Sequence, residues 1–276
     1  MTAIPKILYK YVDLAGAEKI LFNNTLKATP PNKFNDPFEL MLGGFCNISI
    51  EQILDRLKSY DYYKKAINPR LLTDSYTRYI ERLGSDSRLK DDVIISALSN
   101  QDLYHKEFTD LVIKLSQNIG IVCFSATNDN ILMWSHYADQ HNGVVIGFES
   151  NLLSNDWIPV DYSKERYLYD FARDAKDVEV KKVIARKSDA WAYENEYRFG
   201  VSLQQCEKIN SGNEPIFTFG YSSKAVKEVT IGCRMSDANI NDFGAKLKNR
   251  YGNNIITYKT TADKIKYGLN LHKARF

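Results

Sequence analysis

Glu194 and Glu196 stand two residues apart in the run Trp191-Ala192-Tyr193-Glu194-Asn195-Glu196-Tyr197-Arg198-Phe199. Phe199, Val201 and Leu203 continue it with the alternation of a strand. The side-chain period of a strand is two, so both carboxylates are expected on one face, with Tyr193, Asn195 and Tyr197 on the other. Like charges side by side repel, and a core strand gains nothing from them. Two readings fit. In the first, this is an exposed edge face with Arg198 as a local counter-ion. In the second, the carboxylates line a cleft and stabilise positive charge developing on a sugar. Adjacent acids also raise one another's pKa, which suits one of them to act as a base.

Three other segments hold residues that a plain core would not select. In Leu8-Tyr9-Lys10-Tyr11-Val12, alternation puts Tyr9 and Tyr11 on one face and Lys10 on the other. That fits a snorkelling lysine or a cation facing a ligand. The run Phe34-Asn35-Asp36-Pro37-Phe38-Glu39 has strong turn chemistry. The third segment joins Cys123-Phe124-Ser125-Ala126-Thr127 to Met133-Trp134-Ser135-His136-Tyr137-Ala138. On a helix Met133, Trp134 and Tyr137 share a side, as an aromatic core stripe would. Equally, Ser125 can face a cleft at a strand end while Trp134 or Tyr137 stacks on a planar ring. His136 has no partner at triad or metal spacing.

The elements that must position these residues follow from patterning. Strands are predicted at Lys6 to Tyr11, Leu26 to Thr29, Ile119 to Ser125, Gly143 to Glu149, Glu196 to Leu203, Ile216 to Phe219, Val226 to Cys233 and Ile255 to Lys259. Asp13 caps a helix with Leu14, Ala17 and Leu21 on one side, ending at Asn23-Asn24. Further helices are predicted over Asn128 to Ala138, Lys164 to Arg186 and Asp237 to Asn249. Residues 48–118 read as a helical insertion, opened by a Ser49-x-x-Gln52 capping box, with later helical spacing at Phe108, Leu111, Val112 and Leu115. The expected class is α+β, a single domain over 1–276 with a split-sheet core.

Composition narrows the function classes. The chain has 276 residues, 44% of them hydrophobic, and a formal net charge of +3, which permits a nucleic-acid partner without demanding one. No apolar run approaches the ~20 residues of a membrane span, and no signal-peptide pattern opens the chain, so a cytoplasmic location is expected and no membrane partner. Cys46, Cys123, Cys206 and Cys233 are scattered without a CxxC pair, so neither a zinc site nor a disulfide framework is expected. Cys123, in an apolar run, reads as a small core residue. No G-x-G-x-x-G or P-loop is present.

Taken in order, Leu-Tyr-Lys-Tyr, Asn-Asp-Pro-Phe-Glu, Cys-Phe-Ser with Met-Trp-Ser-His-Tyr-Ala, and Trp-x-x-Glu-x-Glu-Tyr-Arg resemble a family of bacterial domains of unknown function. The likeness spans most of the chain outside the helical block. That family resembles, more distantly, the ADP-ribosyltransferase superfamily, nearest its DNA-targeting toxins. The resemblance implies an ADP-ribosyltransferase-like split sheet. It also implies transfer of ADP-ribose from NAD to a macromolecule, with nucleic acid as the acceptor, in a bacterial toxin or anti-phage effector. An antitoxin or chaperone partner would accompany that role, and no metal would be needed.

Carried over by position, Lys10 matches the first-strand residue that holds the adenosine-side ribose, and would also neutralise pyrophosphate. Tyr9, Tyr11, Asn35 and Asp36 are its expected neighbours around NAD. Ser125 or Tyr137 matches the residue that lines the nicotinamide pocket, and Trp134 is the other ring placed to stack on NAD. Glu196 matches the glutamate on the nicotinamide-ribose 2′-OH, and Glu194 the residue that handles the acceptor. Two features depart from the superfamily: Lys10 replaces a His or Arg, and no aromatic turn-turn signature is readable. They keep open a binding or regulatory module without turnover on the same fold. A carboxylate-dependent nuclease using Glu39, Asp36 and Glu196 is the other alternative. The C-terminal stretch from Lys264-Ile265-Lys266-Tyr267-Gly268 to His272-Lys273-Ala274-Arg275-Phe276 interleaves basic and aromatic residues. It reads either as a nucleic-acid contact or as a final strand with a solvated tail.

Overall fold

Alternation decides the central strand. In β1 (Ile7–Val12), Leu8 is fully buried in the main apolar core while Tyr11, on the other face, packs into a second cluster with Met133 and Trp134. Asp13 then accepts from the Gly16 amide at 2.6 Å and starts α1 (Leu14–Asn23). Asn24 ends it in the left-handed region at φ 52°, which a short polar side chain tolerates. The computed structural model describes residues 3–39, 58, 76–88, 117–165, 180–211 and 214–274. The Ser49 capping box, Cys46, the helical face from Phe108 to Leu115, Arg275 and Phe276 lie outside the described residues.

The remaining strands are β2 (Thr25–Ala28), β3 (Ile119–Ser125), β4 (Val144–Glu149), β5 (Ile158–Pro159), β6 (Asp161–Ser163), β7 (Arg186–Ser188) and β8 (Glu196–Ser202). They continue with β9 (Glu207–Ser211), β10 (Glu214–Gly220), β11 (Val226–Ile231), β12 (Ile256–Ala262) and β13 (Leu269–Lys273). Eight form one sheet in the order β13-β12-β11-β4-β1-β3-β8-β5, with only β11 and β12 parallel among its described pairs. A second sheet runs β2-β10-β9, and β6 pairs with β7. The described helices after α1 are α2 (Tyr76–Ser85), α3 (Ile131–Tyr137), α4 (Val180–Ala185) and α5 (Asp237–Tyr251). α5 lays Ile240, Phe243 and Leu247 on the main core. α3 covers Tyr11 and Val145 on the opposite face. The class is α+β, as the patterning predicts.

The large sheet is joined weakly at one seam. β1 shares six registered pairs with β4, and β3 shares seven with β8, but β1 and β3 meet only at Tyr9 and Ser125. Away from that point β3 bonds elsewhere: Ile121 exchanges backbone bonds of 2.9 and 2.8 Å with Thr29. Residues of both strands beside this seam line the candidate site.

The chain divides into two compact units, residues 1–39 with 115–164 and 184–276, and residues 40–114 with 165–183. The second unit takes in most of the stretch expected as a helical insertion and adds a later segment to it. Of the predicted helix over Lys164 to Arg186, Lys164 and Glu165 form a bend, residues 166–179 lie outside the described residues, and Arg186 begins a strand. Asp161–Ser163 and Arg186–Ser188 are paired strands, and Ala185 ends the described helix. Among the described residues no helix is long and apolar enough to cross a membrane.

Candidate functional site

The Glu194/Glu196 pair is not made by strand alternation. Residues Asp189–Glu194 form a 3-10 turn capped by the Ser188 hydroxyl, and Asn195 turns the chain through φ 47°, ψ 54°. β8 begins only at Glu196. The left-handed Asn195 brings the two carboxylates to one place, so the expected geometry is corrected while the proximity stands. Period two does operate one step later. Arg198 follows Glu196 on the same face, and Tyr197 and Phe199 turn to the main core.

These acids are not on an exposed edge. Glu194 is 3% and Glu196 6% exposed, and Arg198 is fully buried. Arg198 grips Glu196 as a fork, Nε to Oε1 at 2.9 Å and Nη2 to Oε2 at 2.7 Å. Its Nη2 also bonds Glu39, and Nη1 reaches the Ile184 carbonyl at 2.7 Å. Lys187 on β7 joins the acids from the other side, 2.5 Å from Glu194 Oε2, 3.3 Å from Glu196 Oε2 and 3.6 Å from Glu39 Oε1. Its ammonium also lies 5.0 Å from the centre of the Trp191 ring. Five buried charges thus form one network of three acids and two cations.

The network drives the two acids apart in character. Burial works against the charge of Glu196, yet Arg198 and then Lys187 outweigh it and bring its pKa from 4.5 down to about 2. Burial dominates at Glu194 and pushes its pKa up, despite Lys187 and a 2.6 Å bond donated by the Tyr137 hydroxyl to Oε1. Tyr137 itself is held protonated, first by burial and then by Glu194. Lys187 and Arg198 lose hydration on burial, and the surrounding carboxylates more than restore their charge.

A cleft of about 350 Å³ opens on this network. Glu194, Glu196, Ser125, Tyr137, Lys10, Tyr9, Tyr11 and Asn35 all line it. Lys10 reaches across the seam between β1 and β3 to donate to the Cys123 carbonyl at 2.8 Å. Burial lowers its pKa, and Lys27, which also lines the cleft, adds to that. Tyr9 extends instead toward Glu228, at 3.4 Å, and burial with that neighbour lifts its pKa to about 12. Asn35 lines the cleft beside Tyr137 and works against the rise in its hydroxyl's pKa. Ser125 is spent on structure: its hydroxyl donates to the Glu194 carbonyl at 2.7 Å and accepts from the Thr127 amide. It fixes Glu194 rather than offering a free hydroxyl.

Three expectations are corrected. Trp134 is fully buried, packs edge-on against Tyr11 and donates its indole N–H to the Asn128 carbonyl at 2.9 Å. It is core and presents no face to the cleft. Asp36 is buried outside the cleft lining, and its Oδ1 accepts from the Phe38 amide at 2.8 Å, the bond of a turn. Cys123 is not a plain core residue. It lines the cleft beside Glu196, and burial pushes its thiol's pKa up, with Glu196 adding to the rise.

The turn at Asp36 explains the Asn-Asp-Pro-Phe-Glu run. It also bonds the Glu39 amide to the Asp36 carbonyl at 3.1 Å and so delivers the Glu39 carboxylate to Arg198. Phe34 lies over the same guanidinium, 5.3 Å from ring centre to Cζ. Lys187 and Tyr162, whose hydroxyl accepts from the Glu196 amide at 2.8 Å, carried no readable signal. Arg198 did, through its spacing from Glu196. The acids sit around an ammonium and a guanidinium, and among the described residues no cluster of His, Cys, Asp and Glu is arranged to hold a metal ion.

Residues 133–199 match a family described as protein of unknown function (DUF2971). That span holds Tyr137, Lys187, Glu194, Glu196 and Arg198 and stops short of the first-strand lysine. No curated protein and no solved structure matches the chain. The comparisons do not connect it to ADP-ribosyltransferases.

Proposed function

We propose that the cleft binds NAD and transfers its ADP-ribose to a nucleic acid, with Glu196 and Glu194 in different roles. The observation that carries this reading is the placing of Lys10, Tyr137, Glu194 and Glu196 around one cleft, although they come from distant parts of the chain. The donor set fits NAD. Lys10 and Lys27 offer positive charge to a pyrophosphate, and Phe34 and Tyr137 offer aromatic surface to a planar ring. The single registered pair between β1 and β3 supports reading the sheet as split, as the resemblance implies.

The chemistry follows from the two acids. The bond from ribose C1′ to the nicotinamide nitrogen breaks, its electron pair leaves with neutral nicotinamide, and C1′ gains oxocarbenium character. Glu196, kept ionised by Arg198, accepts from the 2′-OH and stabilises that charge as it develops. The acceptor bonds to C1′ and its proton passes to Glu194, whose raised pKa suits a base.

A second reading, a binding module without turnover, is favoured by one observation. Both oxygens of Glu196 already carry cationic donors. Labelled NAD incubated with the protein and a cell lysate, followed by separate protease and nuclease digestion, tests the proposal. Transfer predicts label that nuclease releases and protease does not. Unconsumed NAD would leave the binding module, and label removed by protease alone would replace the acceptor with protein.

A further inference from the structure

The hairpin joining β12 to β13 ends in Asp263-Lys264-Ile265-Lys266-Tyr267-Gly268, and two of its apolar side chains have no cover. Ile265 is 93% and Tyr267 101% exposed, against 60% or less for the other exposed large apolar side chains of the described residues. Scattered apolar side chains on a surface need no explanation, but here the two most exposed large ones of the described residues share one tip. The tip is also held in shape. Asp263 Oδ1 accepts from the Ile265 amide at 2.7 Å and the Lys266 amide at 2.8 Å, and Oδ2 from the Asn270 side chain at 3.1 Å. The Asp263 amide closes the loop on the Gly268 carbonyl at 3.0 Å. The acid is therefore turned into the loop, and the side chains facing outward are two lysines, an isoleucine and a tyrosine.

We propose that this tip is a contact site for single-stranded nucleic acid, with Tyr267 stacking on a base and Lys264 and Lys266 meeting phosphates. Every base has a π-face, and an aromatic ring with flanking cations suits an unpaired strand. Holding the loop in place beforehand lowers the ordering cost of binding. The strands behind the tip decide against a lipid surface. Their next residues on one face are Thr261, Asn270 and His272, all exposed, with Thr261 and His272 hydrogen-bonded at 3.0 Å. These are hydrogen-bonding groups where acyl chains would require apolar ones. The inference rests on the reading of nucleic acid as the acceptor and gives that acceptor a second point of contact.

Fluorescence anisotropy with a labelled single-stranded oligonucleotide tests it without any turnover. Tyr267→Ala should weaken binding about tenfold, the scale of one lost base–aromatic stack. Lys264→Gln with Lys266→Gln should lower the slope of log affinity against log salt by about 1.4, since two phosphates are released. Asp263→Ala should weaken binding although it removes no contact. A far-ultraviolet circular dichroism spectrum matching the parent's would show each variant folded. Equal affinity of parent and variants, tighter binding to the matched duplex, or tip-dependent binding to phosphatidylserine vesicles in place of the oligonucleotide overturns the inference. Tip-dependent oligonucleotide binding without NAD consumption would uphold it and sink the transferase reading. NAD-dependent labelling of nucleic acid with no effect of the tip variants would do the reverse.

Discussion

Arg198 binds Glu196 through two nitrogens from two residues further along the same strand, at 2.9 and 2.7 Å, and neither side chain meets solvent appreciably. A guanidinium fork matches a carboxylate in both geometry and charge, which a lysine cannot do. The pair therefore sets both the orientation and the ionisation of Glu196. Removing one partner of a buried ion pair leaves the other's charge uncompensated. Arg198→Leu leaves Glu39, Glu194 and Glu196 facing Lys187 alone, so urea denaturation should reveal a loss of about 3–5 kcal/mol. Arg198→Lys should retain part of that stability. Equal stability of the leucine variant and the parent would mean the network is not formed.

Acid should act on the same pair. Glu196 titrates near 4.5 when unfolded and about 2 when folded, so its contribution is present above 4.5 and is lost as pH falls through 2. Glu194, raised in the fold, has the opposite sign. Denaturant midpoints measured between those two pH values should fall with acid in the parent and fall less in Glu196→Gln. Parallel curves for the two proteins would contradict the assignment.

Tyr137 and Glu194 offer a kinetic test. The hydroxyl donates to the ionised acid at 2.6 Å and so favours its charged form. Tyr137→Phe removes that donor, and the acid's pKa should rise further. The rising limb of the pH profile for transfer should then move to higher pH, while hydrolysis of NAD without an acceptor keeps its profile. A limb that stays in place would remove Glu194 from the base role.

Core and cleft should separate at two aromatic neighbours on α3. Trp134→Ala should cost about 3–5 kcal/mol of stability, as large core truncations do, and leave NAD affinity of the folded protein intact. Tyr137→Ala should weaken NAD binding, since its ring lines the cleft. Calorimetric titration of both variants decides, and equal losses of affinity would contradict the division.

β3 and β4 were legible as short continuous apolar runs, buried on both faces, and β1 and β8 through alternation; all four fall within a residue or so of their predicted bounds. Asp13 and the Asn23-Asn24 stop read correctly for a related reason: capping is local chemistry. The two-residue β5 and three-residue β6 and β7 escaped because so short a run carries no period. The carboxylate pair was legible as a pair and misread as a strand, since Asn195 gives no sign in its neighbours that it will turn left-handed. Trp134 and Tyr137 share a helix side in sequence, and only packing decides that one enters the core and the other the cleft. Lys187 was invisible for the deeper reason that a buried ion network joins residues distant along the chain, as with Glu39 and Arg198.

The central claim is that ionised Glu196 stabilises charge on the ribose of NAD, and Glu196→Gln tests it most directly. The amide keeps the shape and removes the charge. Nicotinamide release from NAD, measured on a variant whose near-ultraviolet circular dichroism matches the parent, should fall by about 100-fold or more, the scale of one lost electrostatic stabiliser. Nicotinamide release at the parent's rate by the folded variant would contradict the account.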